Sequence, residues 1–167
     1  STHPYSFPYG SDSVLANKLK DIDKIISKNG GFKEHIVTEI GLPTSTGARG
    51  ATEERQASEI VKSFAYDDDG GVASTNWYNF RNKGENAEEE EDNYGIINRD
   101  RSPKKALIAL ANLTNKLNGS VYFGSVELEP DLNAYLYLQN GGIIAIVWSK
   151  NGTKTVSLSC SYAEDIY

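Results

Sequence analysis

The sequence contains no methionine, one cysteine and two histidines among its 167 residues. A lone cysteine, Cys160, excludes an internal disulfide framework; its ordinary role is that of a small buried residue at a strand end. Two histidines, His3 and His35, with no paired CxxC, exclude a zinc site built from this chain alone, and no motif asks for a cofactor. No apolar run approaches the roughly 18 residues needed to cross a bilayer. Positive charge is also in short supply. The formal net charge of -6 argues against nucleic acid or an anionic membrane surface as the main partner. Methionine is missing even at position 1, and Ser1-Thr2-His3-Pro4-Tyr5 does not read as a natural start. The chain reads as a processed or excised piece of something longer.

What is present is ordinary globular patterning, 38% hydrophobic and 24% charged. Leu15, Leu19, Ile22, Ile25 and Ile26 recur at helical spacing, with a cap expected among Ser11, Asp12 and Ser13 and a stop at Gly30-Gly31. His35 to Ile40 reads as a short buried strand. Thr52 caps a second helix whose first turn is acidic and which runs to about Tyr66. Val72 to Phe80 reads as another strand. Ser102 and Pro103 open a third helix carrying Ala106, Leu107, Leu110, Leu113 and Leu117. After Asn118 the period changes to two. Val121–Leu128, Ala134–Leu138, Ile143–Trp148 and Thr155–Ser159 read as strands, with hairpin signals at Asn140-Gly141-Gly142 and Asn151-Gly152. The alternation predicts an α/β part over 1–118, with a parallel sheet covered by helices, and an antiparallel β part over 119–167.

One carboxylate stands out. The run Val37-Thr38-Glu39-Ile40-Gly41 ends a strand on Glu39 and turns at once on a glycine. A carboxylate there is held rigidly at a sheet's edge, where alternating barrels carry their catalytic groups. His3-Pro4-Tyr5 precedes the first helix, Gln56-Ala57 lies in the second, and Asn76-Trp77-Tyr78 ends the next strand. Tyr94-Gly95-Ile96-Ile97 and Pro103-Lys104-Lys105-Ala106 follow. In this order and spacing the set resembles the last third of a clan-A retaining glycoside hydrolase, most closely family thirty-nine. The resemblance implies the C-terminal portion of a (β/α)8 TIM barrel, about strands six to eight, followed by a small antiparallel β-sandwich or sheet. It also implies that Glu39 is the nucleophile and that His3, Tyr5 and Trp77 line the subsite of the reacting sugar. Tyr78, on the opposite face, would pack. The implied partners are a carbohydrate substrate and the missing N-terminal part of the barrel. The implied location is extracellular or at the cell surface.

The family's acid/base Glu lies at the end of the fourth strand, before this sequence begins. Alone, the chain should not hydrolyse glycosides by the family's mechanism, which needs two carboxyl groups. The alternative reading is a non-catalytic carbohydrate-binding or surface-associated module on a half-barrel scaffold. A third reading, an interaction protein, would pair two copies through the open sheet edge. Glu85–Asp92 is an acidic run, ordinarily a solvated loop; its sharper reading is a lid, or recognition of a cationic sugar. Asp67-Asp68-Asp69-Gly70 lacks the ligand pattern of a calcium loop and reads as a helix-ending turn. Trp148 reads as core. Asn112, Asn118 and Asn151 head N-glycosylation patterns, which a chain this rich in Asn, Ser and Thr also produces by chance.

Overall fold

The structure is a computed structural model that describes residues 1–157. Cys160, the end of the strand expected at Thr155–Ser159, and the tail Ala163–Tyr167 lie outside the described residues. The chain divides into two compact units, Ser1–Lys116 and a second beginning at Leu117.

The first unit holds α1 (Ser11–Lys28), β1 (His35–Ile40), α2 (Glu53–Asp69), β2 (Val72–Trp77) and α3 (Lys105–Leu117). β1 and β2 pair in parallel, joined by the crossover through α2, and Thr2 adds a parallel bridge to Val37 on the other side of β1. Three chain segments therefore run side by side, with β1 in the middle. No closed barrel exists among the described residues. The face of β1 that carries His35 and Val37 is buried, while Ile36 and Thr38 on the other stay exposed, and Ile40, beyond a register irregularity, is buried again. A parallel sheet is normally buried on both faces, so this one is half covered.

α2 forms where the sequence predicts it, because Thr52 Oγ1 accepts the Arg55 N–H as its cap. The other two helix starts differ from expectation. α1 begins at Ser11 behind Gly10, whose φ of 87° only glycine adopts readily, and the Ser11 N–H is bound by Glu59 Oε2 at 2.7 Å. α3 begins two residues after Pro103, and its Lys105 N–H meets Glu53 Oε2 at 3.1 Å. Both starts are thus capped by glutamates of α2 rather than by their own Ser residues. A carboxylate at a helix N-terminus satisfies an orphan donor and opposes the dipole favourably. The hydrophobic stripe of α1 is only half used: Leu15 and Leu19 are buried, but Ile25 is largely exposed.

The second unit is a meander of β3 (Val121–Glu129), β4 (Leu132–Gln139) and β5 (Gly142–Ser149), in that order. Asn140 and Gly141 take the positive φ that the tight hairpin demands. Tyr135 stacks on Trp148 with centroids 4.8 Å apart, in keeping with a packing role for Trp148. Among the described residues this unit is one three-stranded sheet, and Thr155 to Ser157 form no strand.

Candidate active site

Glu39 sits one residue before the end of β1, and the turn behind it is tight for a physical reason. A Cβ on Gly41 would lie 2.0 Å from the Tyr78 carbonyl oxygen, so only glycine lets the ends of β1 and β2 approach this closely. The Tyr78 N–H donates to the Ile40 carbonyl at 2.7 Å. Gly50 is equally constrained, since a Cβ there would meet the Ser45 carbonyl at 1.8 Å.

The N-terminal segment reaches Glu39 because Thr2 is woven onto β1. Its N–H donates to Ile36 O at 3.0 Å and its carbonyl accepts the Thr38 N–H at 3.1 Å. Thr2 Oγ1 also lies 2.6 Å from His35 Nε2. This anchoring brings His3 and Tyr5 to Glu39. The Tyr5 hydroxyl donates to Glu39 Oε1 at 2.5 Å, and His3 Nδ1 lies 3.4 Å from Glu39 Oε2. His3 Nε2 lies 3.1 Å from Thr38 Oγ1. One tautomer suits both contacts: Nδ1–H faces the carboxylate while Nε2 accepts from the Thr38 hydroxyl. The Glu39 side chain keeps 30% of its surface exposed, so it is fixed yet reachable. Burial, and then the hydrogen bond to Glu39, push the Tyr5 phenol well above its usual value of 10. Tyr5 therefore keeps its proton and remains a donor to Glu39 throughout the neutral range.

Beneath this pair lies an aromatic group. Tyr5 meets Phe7 edge-on at 5.2 Å and Tyr94 at 6.2 Å, and Tyr94 meets Tyr78 at 5.2 Å. Burial, then Glu90 and Glu91, push the Tyr94 phenol up to about 12. Trp77 is not part of this group. It packs against the cluster of Ile60, Ile96 and Ala106, with its indole N–H buried. The alternation along β2 holds, but its phase is opposite to that expected. Thr75 bonds Asp67 of α2, so Trp77, two residues on, also faces the helices and Tyr78 turns to the side of Tyr94 and Tyr5. Trp77, expected beside Glu39, packs on the Ile60 cluster instead, and Tyr78 is the end residue of this segment that shares a side with Tyr94.

The loops around the site are tied to one another. Lys104 is 2% exposed, and its ammonium donates to Thr44 Oγ1 at 2.7 Å, Asn82 Oδ1 at 2.9 Å and the Asn93 carbonyl at 3.1 Å. It thus joins the segment after β1 to both ends of the long loop after β2. Burial lowers the Lys104 pKa to about 8. Gln56, fully buried, donates to Leu42 O at 2.8 Å and reaches the Tyr94 and Gly95 carbonyls. Most of the acidic run is exposed, as a solvated loop is, and it is tethered at several points. Arg49 makes a two-point pair with Glu90, at 2.9 and 2.8 Å, and Lys83 pairs with Glu91 at 2.8 Å. Asn93 Nδ2 binds the Asn86 and Glu89 carbonyls. Glu90 and Glu91 are thus each paired with a cation of this chain.

Sequence reasoning brought Glu39, His3 and Tyr5 to one place. Phe7 and Tyr94 join them through ring contacts, and Lys104, expected to open the third helix, is buried between the loops instead.

No family model matches the chain, and no curated protein matches it. Among solved structures it is similar to the one titled "Structural insights into a family 39 glycoside hydrolase from the gut symbiont Bacteroides cellulosilyticus WH2", with a TM-score of 0.67 and 20% identity. The similarity covers 87% of this chain and 29% of that one, so the chain spans under a third of that protein's length. At this identity the likeness is one of fold, and the mixed parallel and antiparallel architecture agrees with it.

Proposed function

We propose that this chain supplies the nucleophile and part of the sugar subsite of a retaining glycoside hydrolase acting on an oligo- or polysaccharide, outside the cell or at its surface. The observation that carries the reading is Glu39 at a parallel strand end, held by the Tyr5 hydroxyl and the His3 ring and flanked by aromatic rings. The fold likeness to part of a family 39 enzyme supports it. Glu39 attacks the anomeric carbon as a carboxylate, the glycosidic bond breaks, and water later releases the sugar from the glycosyl-enzyme. Tyr5 steadies the ionised carboxylate before attack, and rigid strand ends set the line of approach. Aromatic faces suit the apolar faces of a sugar ring.

The acid/base carboxyl comes from outside these residues. In the family that the chain resembles, this acid lies at the end of the fourth barrel strand, ahead of these residues, and the mechanism needs it about 5–5.5 Å from the nucleophile. The remaining strands of a (β/α)8 TIM barrel supply it and cover the open face of β1. In a polypeptide joining this chain to those strands, Glu39→Gln abolishes turnover of an aryl glycoside. Glu39→Ala regains turnover with azide and gives a glycosyl azide of inverted anomeric configuration. Near-normal activity in Glu39→Gln sinks the assignment and favours a non-catalytic carbohydrate-binding module.

A further inference from the structure

A second concave site lies in the loop after β2. It is a cavity of about 300 Å³ walled by Asn82, Glu85, Asn93, Asn98, Arg99 and Asp100, none of which touches Glu39. We propose that this cavity binds one neutral saccharide ring. The proposal goes beyond the nucleophile assignment and does not depend on it.

The inner part of the wall is preorganised, while Glu85, Arg99 and Asp100 stand exposed at its rim. Asn82 and Asn93 are more than nine-tenths buried. Asn82 Oδ1 is fixed by the Lys104 ammonium at 2.9 Å and the Gly95 N–H at 2.9 Å, while the Asn82 NH2 donates to nothing among the described residues. Asn93 is the reverse: its NH2 is spent on the Asn86 and Glu89 carbonyls, and its side-chain oxygen is unspent. Asn98 spends its NH2 on Ser102 Oγ at 3.0 Å and likewise keeps its oxygen. Asp100 places one oxygen on the Ser102 hydroxyl and N–H, leaving the other, and Glu85 is unbound. Arg99 gives one nitrogen to the Lys83 carbonyl and keeps its remaining N–H groups.

This donor set selects the ligand class. A cation is opposed by the Arg99 guanidinium and the Asn82 NH2. An anion is opposed by Glu85 and Asp100. What fits is a neutral group that donates and accepts at each position, which is what adjacent hydroxyls on a ring do. Ligand sites run from about 300 to 1,000 Å³, so this one takes a single ring rather than a chain. The two buried asparagines lose little freedom on binding, which is how a small polar site gains useful affinity.

The test is a titration of the 15N-labelled chain with methyl β-D-glucopyranoside, methyl β-D-xylopyranoside and calcium chloride. Each is taken to about 100 mM, suited to a Kd in the millimolar range. The expected result is a saturable shift of the Asn82, Asn93 and Asn98 side-chain amide signals with at least one glycoside. Arg99→Ala and Glu85→Ala should each weaken it roughly tenfold. Glu85 holds nothing else in place, so that variant keeps the fold. Three outcomes overturn the proposal: no shift with either glycoside, shifts with calcium alone, or shifts confined to Thr38 and Ile40. The last leaves the Glu39 reading supported, and that reading is judged separately by aryl glycoside turnover.

Discussion

Lys104 and Asp67 are both ionisable, both 2% exposed, and belong to opposite ends of the same parallel strands, yet the fold treats them differently. At the Glu39 end, the three protons of Lys104 all meet neutral acceptors at 2.7–3.1 Å. At the other end, Asp67 closes α2, where the helix dipole is already negative. Only its Oδ2 is bonded, by the Thr75 hydroxyl at 2.7 Å, and Oδ1 is buried without a partner. Burial raises the Asp67 pKa to about 7. A buried charge stabilises only if its hydrogen-bonding capacity is filled. Burial disfavours both charges, but the Lys104 ammonium fills its hydrogen-bonding capacity while the Asp67 carboxylate leaves Oδ1 without a partner among the described residues.

The glycines at the two ends sharpen the contrast, and Gly41→Ala should be the most destabilising change. Its Cβ would press on the Tyr78 carbonyl, a backbone atom that cannot yield cheaply, at a cost of about 3 kcal/mol or more. Urea denaturation followed by circular dichroism reads it, and a cost under 1 kcal/mol would show that the strand ends are not tightly joined.

Next comes Lys104→Met, which keeps the volume and deletes the three bonds, at a cost of about 2 kcal/mol near neutral pH. Its pH signature separates it from a packing defect. The folded pKa of about 8 lies below the unfolded 10.5, so the native state binds fewer protons between those values. Wild-type stability therefore gains with pH across that window, and the gain disappears in the variant.

Asp67→Asn goes the other way. The folded pKa of about 7 lies above the unfolded 3.8, so the native state holds an extra proton between them and stability falls as pH rises from about 4 to 7. Asn keeps an acceptor for Thr75 without the charge. The variant should match wild type below pH 3.8 and exceed it by about 4 kcal/mol at pH 8. Equal stability at pH 8 would erase the contrast between the two charges. The smallest effect is Gly71→Ala. It has open space around it but a φ of 66°, so the cost is about 1 kcal/mol, all from backbone strain.

Much of the fold was legible from local pattern. β1 occupies His35–Ile40 as the apolar run indicates, α2 starts at its Thr52 cap, and the meander turns at Asn140-Gly141. These signals are contained within a few residues. The misplaced features depend on residues far apart in the chain. Ser102 and Pro103 looked sufficient to open α3, but Pro103 is bridged to Ile97 and the helix waits for Glu53. In the site, Glu39 was visible because a strand, a carboxylate and a glycine follow one another. The aromatic group was not, because Tyr5, Phe7, Tyr78 and Tyr94 come from three separate segments.

The sequence by itself determined which stretches are helix and strand, that the period changes near Asn118, and that Glu39 ends a strand before an obligatory glycine. Periodicity, caps and turn chemistry are local, so one chain of letters carries them. Only the tertiary structure decided that Tyr78 rather than Trp77 shares a side with Tyr94 and Tyr5. A period of two fixes alternation but not phase, and the phase is set by which side α2 covers. It also decided that Lys104 is buried, since that depends on Thr44 from one loop and Asn82 and Asn93 from the two ends of another converging to receive its protons.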